Sequence, residues 1–178
     1  MNKTTILRRA GMCCATLALF VASAAAQLEG ASANGRATVT TRFQDLALSG
    51  AADELFGWCR SQGVLPDVLV CNAGMFFFKE LCESDLDRVQ AMLNLHVATV
   101  TRMSILFGMA MKERGSGHIL IVSSMAARLP VPGITIYSAT KAYLKSFGKS
   151  LSYELKPYGV SVTTVCPAAI ATPLYKLS

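Results

Sequence analysis

Tyr137 and Lys141 stand four residues apart in a stretch with helical patterning, so they stack on one face a single turn apart. Such a pair can act as a tuned acid. A free phenol has a pKa of about 10, so acid or base work near pH 7 requires a drop of about 3, on the order of 4 kcal/mol. A neighbouring ammonium moves a phenol in that direction, and a cationic ring bound beside it would add to the effect. The same spacing also describes a surface lysine beside a half-buried ring. Ser124 lies thirteen residues earlier, at the carboxyl end of an apolar run where ligands bind in open parallel sheets. A hydroxyl there can donate to a carbonyl oxygen as negative charge develops on it, or it can satisfy the turn after a strand. Asn72-Ala73-Gly74 follows another buried run at the equivalent position. Small residues and a glycine there let the backbone approach a flat ligand, or simply end a strand.

The elements that must position these residues alternate from residue 38 onward between short β-branched runs and helical segments, the rhythm of an α/β fold with a parallel sheet. Thr38–Phe43, Asp67–Cys71, His118–Ser123 and Val160–Val165 read as strands. Ala51–Gln62 reads as a helix closed by Gly63, Ser84–Arg114 as a helix capped by Ser84 with Asp87, and Tyr137–Lys156 as a helix ended by Pro157 and Gly159. No internal repeat or low-complexity linker divides the chain, so residues 38–178 read as one catalytic-core domain and 1–37 as a separate strand-helix or signal-like segment.

Taken jointly, Asn72-Ala73-Gly74, Asn94, Ser124, Tyr137-Ser138-Ala139-Thr140-Lys141 and the Pro167–Thr172 run PAAIAT are similar in order and spacing to the short-chain dehydrogenase/reductase family. The resemblance implies a Rossmann-like, doubly wound, three-layer α/β sheet and an NAD(P)-dependent oxidoreductase that interconverts a carbonyl and a secondary alcohol. By that resemblance, Tyr137 exchanges the proton with substrate, and Lys141 lowers its pKa and holds the nicotinamide ribose. Ser124 polarises the substrate oxygen, and Asn94 holds a water that passes the proton through Lys141. Asp45 matches the acidic residue that touches the adenine, Asn72, Ala73 and Gly74 match cofactor-lining positions, and Pro167, Ile170 and Thr172 match positions beside the nicotinamide carboxamide. A small-molecule carbonyl or alcohol, NADP or NAD, and assembly as a homodimer or homotetramer are the implied partners.

The sequence departs from the family in three places. Its glycine-rich pyrophosphate loop, Thr-Gly-x-x-x-Gly-x-Gly, is absent; Gly30–Ala37 imitates it but follows no predicted strand and opens no helix. Ala168 replaces a usual glycine, and Ser178 follows PAAIAT almost at once, so the sheet is expected to be incomplete at both ends of the chain. One alignment makes Thr4–Arg9 the family's second strand and Gly11–Glu29 the helix after it, leaving the inner edges of strands two and four unpaired; Arg8 or Arg9 would then favour NADP by meeting its 2′-phosphate. In another, Thr4–Leu7 fills the central slot itself. Residues 1–26 also read as a secretory signal, with Lys3, Arg8 and Arg9 before an uncharged run and Ser23-Ala24-Ala25-Ala26 before Gln27. The alternative to catalysis is a remnant that acts as a binding or interaction protein.

Composition bounds these readings. At 178 residues and 52% hydrophobic the chain can bury one sizeable core, which excludes a disordered tail or a charged coiled coil. Its net charge of +6 sits mostly before residue 43, with no cationic face patterned for nucleic acid. Six cysteines without metal-ligand spacing to His96 or His118 point to no metal site and to a reducing, cytoplasmic setting, with export or membrane association through residues 1–26 as the competing expectation.

Overall fold

Short β-branched and aliphatic runs build a six-stranded sheet in the computed structural model, which describes residues 2–9, 16–20 and 37–168. The strands are β1 (Asn2–Arg9), β2 (Thr16–Phe20), β3 (Ala37–Gln44), β4 (Val68–Cys71), β5 (Gly117–Val122) and β6 (Val160–Val165). Their order is β3-β1-β2-β4-β5-β6. Strands β2, β4, β5 and β6 pair in parallel, whereas β1 runs antiparallel to both β2 and β3. Helices α1 (Ala51–Ser61), α2 (Leu86–Leu93), α3 (Val100–Arg114) and α4 (Thr135–Leu155) flank the sheet. This is the Rossmann-like α/β architecture expected, with strand order 3-2-1-4-5-6 reproduced by position.

The amino-terminal expectations need correction. Thr4–Leu7 does fall within a strand, but the helix expected over Gly11–Glu29 does not form at Thr16–Phe20, which is β2; residues 10–15 and 21–36 lie outside the described residues. β2 takes the central slot, pairing Leu17 with Val68 and Leu19 with Val70, so the inner edge of β4 is covered. β1 occupies the second position rather than the centre. A connection as short as residues 10–15 can join antiparallel strands but not a parallel pair, and it reverses β1. The reversal pairs Arg8 with Thr16 and Thr38, and Arg9 with Ala37, at the amino ends of the parallel strands. The backbone positions of Arg8 and Arg9 therefore stand at the end of the sheet opposite Asp45, Asn72 and Ser124, not where the first of the two expected alignments puts them.

From residue 37 onward the predicted elements appear within a few residues of their expected bounds. The cap at Ser84 is an exception: Asp85 takes it, its carboxylate accepting the Arg88 N–H at 2.8 Å, while Ser84 Oγ donates to the Glu80 carbonyl. The single helix expected to Arg114 is also interrupted, by a π turn at Asn94–Thr99 between α2 and α3. The principal core joins Leu55 and Cys59 of α1, Leu69 of β4, Phe107 and Met111 of α3, Ile119 and Ile121 of β5, and Leu144 of α4. Helix α4 buries Tyr137, Lys141, Leu144, Gly148 and Leu155, one stripe at helical spacing. A side chain at Gly148 would strike Thr164 of β6, so this glycine lets the helix carrying Tyr137 and Lys141 lie close to the sheet.

Candidate active site

Parallel strands deliver their carboxyl ends to one edge, and the loops there hold most of the residues singled out by sequence. Asp45 follows β3, Asn72-Ala73-Gly74 follows β4, Ser123 and Ser124 follow β5, and Cys166 and Pro167 follow β6. The last two loops are stitched together, with Ser123 N–H donating to the Val165 carbonyl and Met125 N–H to the Pro167 carbonyl. Ile170 and Thr172 lie outside the described residues.

Tyr137 and Lys141 enter this edge from the first two turns of α4, and both are buried, at 7% and 5% exposure. Lys141 Nζ lies 5.6 Å from the centre of the Tyr137 ring and donates to the Val122 carbonyl at 3.0 Å. Burial pushes the Lys141 ammonium down to about 8, against an opposing pull from Cys166. Ser123 Oγ donates to the Lys141 backbone carbonyl at 2.6 Å, fixing β5 against α4. The Tyr137 ring makes T-shaped contacts with Phe76, with centroids 5.0 Å apart, and His96, at 5.9 Å.

Ser124 caps the short 3₁₀ turn Met125–Ala127, its Oγ accepting the Ala126 N–H at 3.2 Å. Ala126 in turn packs against the cluster of Phe77, Met92 and Tyr137. Gly74 lies against the buried end of the site, where an added Cβ would stand 3.0 Å from His96 Nε2 and 3.8 Å from Lys141 Nζ. A side chain there would press on the His96 ring and reach ordinary contact with Lys141, so the bare backbone leaves this end of the site open. Tyr137, Lys141 and Gly74 are thus brought together, with Ser124 on the adjoining turn.

Asn94 and Asp45 are placed differently. Asn94 Nδ2 donates to the Ala47 carbonyl at 3.0 Å and its Oδ1 accepts from Gln90, so the side chain is committed away from Lys141. Asp45 accepts the Ala47 N–H at 2.9 Å and shapes the loop between β3 and α1. The sequence reading missed His96, weighed there only as a metal ligand, and Thr140. His96 is fully buried between the two halves of the site, bonded to Met75 and Thr140. Its one signal in the sequence is an imidazole between the apolar residues Leu95 and Val97.

The short chain dehydrogenase family profile matches residues 5–177. The chain belongs to the short-chain dehydrogenase family. The very-long-chain 3-oxoacyl-CoA reductase of Mus musculus is 32% identical over 158 residues, covering 85% of this chain and 50% of the relative. A short-chain dehydrogenase from Streptomyces avermitilis superimposes with a TM-score of 0.69 at 31% identity, over 75% of this chain and 49% of that one. A short-chain dehydrogenase from Sphingobium yanoikuyae in complex with NADPH gives a TM-score of 0.69 at 25% identity, over 74% of this chain and 51% of that one. This short-chain dehydrogenase chain therefore spans about half the length of the curated relatives it matches. Among its described residues no group of metal-binding side chains occurs, and no helix is long and apolar enough to cross a membrane.

Proposed function

We propose that this chain carries the catalytic centre of an NAD(P)-dependent oxidoreductase that interconverts a small-molecule carbonyl and its secondary alcohol. The observation that carries the reading is the burial of Tyr137 and Lys141 together on α4 beside the bare backbone of Gly74. An ammonium kept in an apolar site lowers the pKa of a phenol beside it and loses little of its field to solvent.

The residues present fit the nicotinamide-ribose end of a dinucleotide. One Lys141 proton goes to the Val122 carbonyl, which leaves two for the hydroxyls of a ribose, and Asn72, Ala73 and Gly74 offer a backbone wall. When bound, the nicotinamide supplies or takes up the hydride at the carbonyl carbon. Tyr137 Oη gives its proton to the carbonyl oxygen during reduction and takes it back during oxidation. Ser124, whose Oγ accepts from Ala126, keeps its own proton to donate to that same oxygen. Lys141 holds the ribose and stabilises the phenolate left on Tyr137. Asn94, with its side chain engaged by Ala47 and Gln90, would hold a water leading to Lys141 only by giving up one of those bonds. By the family resemblance, Pro167, Ile170 and Thr172 would line the carboxamide end of the cofactor and Asp45 its adenine. Either NADP or NAD serves, and we assign the enzyme to the cytoplasm as a homodimer or homotetramer.

The test is reduction of a panel of ketones by the purified chain, with NADPH binding followed by the cofactor's fluorescence. Tyr137→Phe should keep cofactor binding and lose at least about 100-fold in turnover. Undiminished turnover in that variant would overturn the assignment of the acid. The competing reading, a non-catalytic binding remnant, predicts no reduction by the wild-type chain.

A further inference from the structure

His96 sits in the middle of the π turn and reaches both the loop after β4 and the start of α4. Its Nε2 accepts the Met75 N–H at 3.0 Å, and a ring nitrogen that accepts carries no proton. The ring proton is therefore on Nδ1, which donates to Thr140 Oγ1 at 2.9 Å. Thr140 passes the direction on, its hydroxyl donating to the Tyr137 backbone carbonyl at 2.8 Å. His96 and Thr140 each accept on the Met75 side and donate on the Tyr137 side, so the polarity is fixed from Met75 to Tyr137. The ring is fully buried and makes a T-shaped contact with the Tyr137 ring, centroids 5.9 Å apart. The π turn supplies the extra residue per turn that aims the imidazole inward.

We propose that His96 is a positioning residue: a neutral imidazole strut that ties the Gly74–Met75 turn to α4 and so sets the gap between the backbone wall of the cofactor site and the Tyr137–Lys141 pair. The proposal rests on the oxidoreductase reading for what the gap receives, but the strut itself can be measured without any substrate. The titratable groups facing the ring are Lys141 and Tyr137 on α4; the Asn72–Phe78 loop and the π turn bring none. Protonating Nε2 would evict the Met75 amide and set a second cation against the Lys141 ammonium. Two variants separate the strut from simple filling of space. His96→Gln keeps an acceptor and a donor at similar reach, and His96→Phe keeps the volume and the ring contact with Tyr137 but accepts nothing.

The first measurement is a long-range proton–nitrogen spectrum of the ¹⁵N-labelled full chain, with His118→Asn used to assign the two rings. The expected result is the Nδ1–H form of His96 from pH 5 to 8, together with a Met75 amide that exchanges slowly in wild type and fast in His96→Phe. An Nε2–H tautomer, or a Met75 amide equally protected in His96→Phe, would overturn the strut. The second measurement is steady-state ketone reduction. His96→Phe should lower kcat by about 10- to 100-fold with KM nearly unchanged, the size expected for reacting groups misplaced by about 1 Å, and His96→Gln should recover most of it. Equal kcat in His96→Phe and His96→Gln would overturn the positioning role. Absence of turnover in the wild type would sink the oxidoreductase reading instead, and the tautomer and exchange results would still decide the strut.

Discussion

Lowering the pH from 7.5 to 5.0 should cost the folded chain about 2 kcal/mol through His96 alone. Burial, reinforced by the Lys141 ammonium, pushes this imidazole from its ordinary 6.5 down to about 3. Between those values the unfolded chain binds a proton that the folded chain refuses, so stability rises with pH across that window. The contribution is intact above about pH 6.5 and is lost progressively as the pH falls towards about 3. Each pH unit inside the window is worth about 1.4 kcal/mol, so the 1.5 units from 6.5 to 5.0 give about 2 kcal/mol, a sizeable part of a total near 5–15 kcal/mol. Carboxylates also take up protons in this range, and comparison with His96→Phe removes their share. At pH 7.5 the variant should be less stable than wild type by about 1–3 kcal/mol, because the Met75 N–H and Thr140 Oγ1 lose their partner in a buried site. At pH 5.0 that gap should shrink by about 2 kcal/mol. Urea unfolding followed by the fluorescence of Trp58, the single tryptophan, reads both values. A gap that stays the same at the two pH values would refute the reasoning, since it would mean that folded His96 titrates where an unfolded one does.

Lys141 gives a prediction of the opposite character. Its ammonium is held in place against burial, so Lys141→Met should raise stability at pH 7 by roughly 1–3 kcal/mol in the same unfolding curves while abolishing turnover. Because the folded lysine titrates near 8 and an unfolded one near 10.5, wild type should gain stability as pH rises between those values and the advantage of the variant should fade. Gly115 and Gly159 share a left-handed backbone, with φ of 75° and 73°, but only Gly159 would press a side chain against backbone, the Gly115 carbonyl. Gly115→Ala should therefore cost about 1 kcal/mol and Gly159→Ala clearly more, measured as thermal midpoints.

Most of the sheet was legible in the sequence because its strands are short β-branched runs between clear breakers. Val160–Val165 was read to the residue, since Pro157 and Gly159 end the preceding helix and the strand alternates from its first position. The first thirty residues resisted for a physical reason. Thr16–Phe20 lies within a run that stays uncharged from Ala10 to Leu28, where helix and strand share the same apolar pattern, and only pairing with β1 and β4 decides between them. The direction of β1 was equally hidden, because orientation depends on the connection and leaves no periodic trace. The π turn escaped too: one extra residue in a turn changes no hydrophobic spacing that a window of this length can resolve.

The site divides along the same line. Tyr137 and Lys141 were legible because their relation is local, four residues on one helix, and local geometry follows from sequence spacing alone. What sets their distance from Gly74 is not local. The strut runs from Met75 through His96 to Thr140, with separations of 21 and 44 residues, and each of its bonds exists only once the sheet has brought three elements to one edge. A buried polar chain of this kind is costly when half made, because each unpaired member loses its hydration for nothing. Its complete satisfaction here, with donors and acceptors alternating in one direction, is therefore an argument that the spacing it enforces is a requirement of the fold or of the site. Backbone packing could enforce that spacing for the fold alone, as it does where Gly148 meets β6. An imidazole beside the Tyr137 ring and the Lys141 ammonium instead borders the two groups proposed to handle the proton, and the kcat split between His96→Phe and His96→Gln tests whether the requirement belongs to the site.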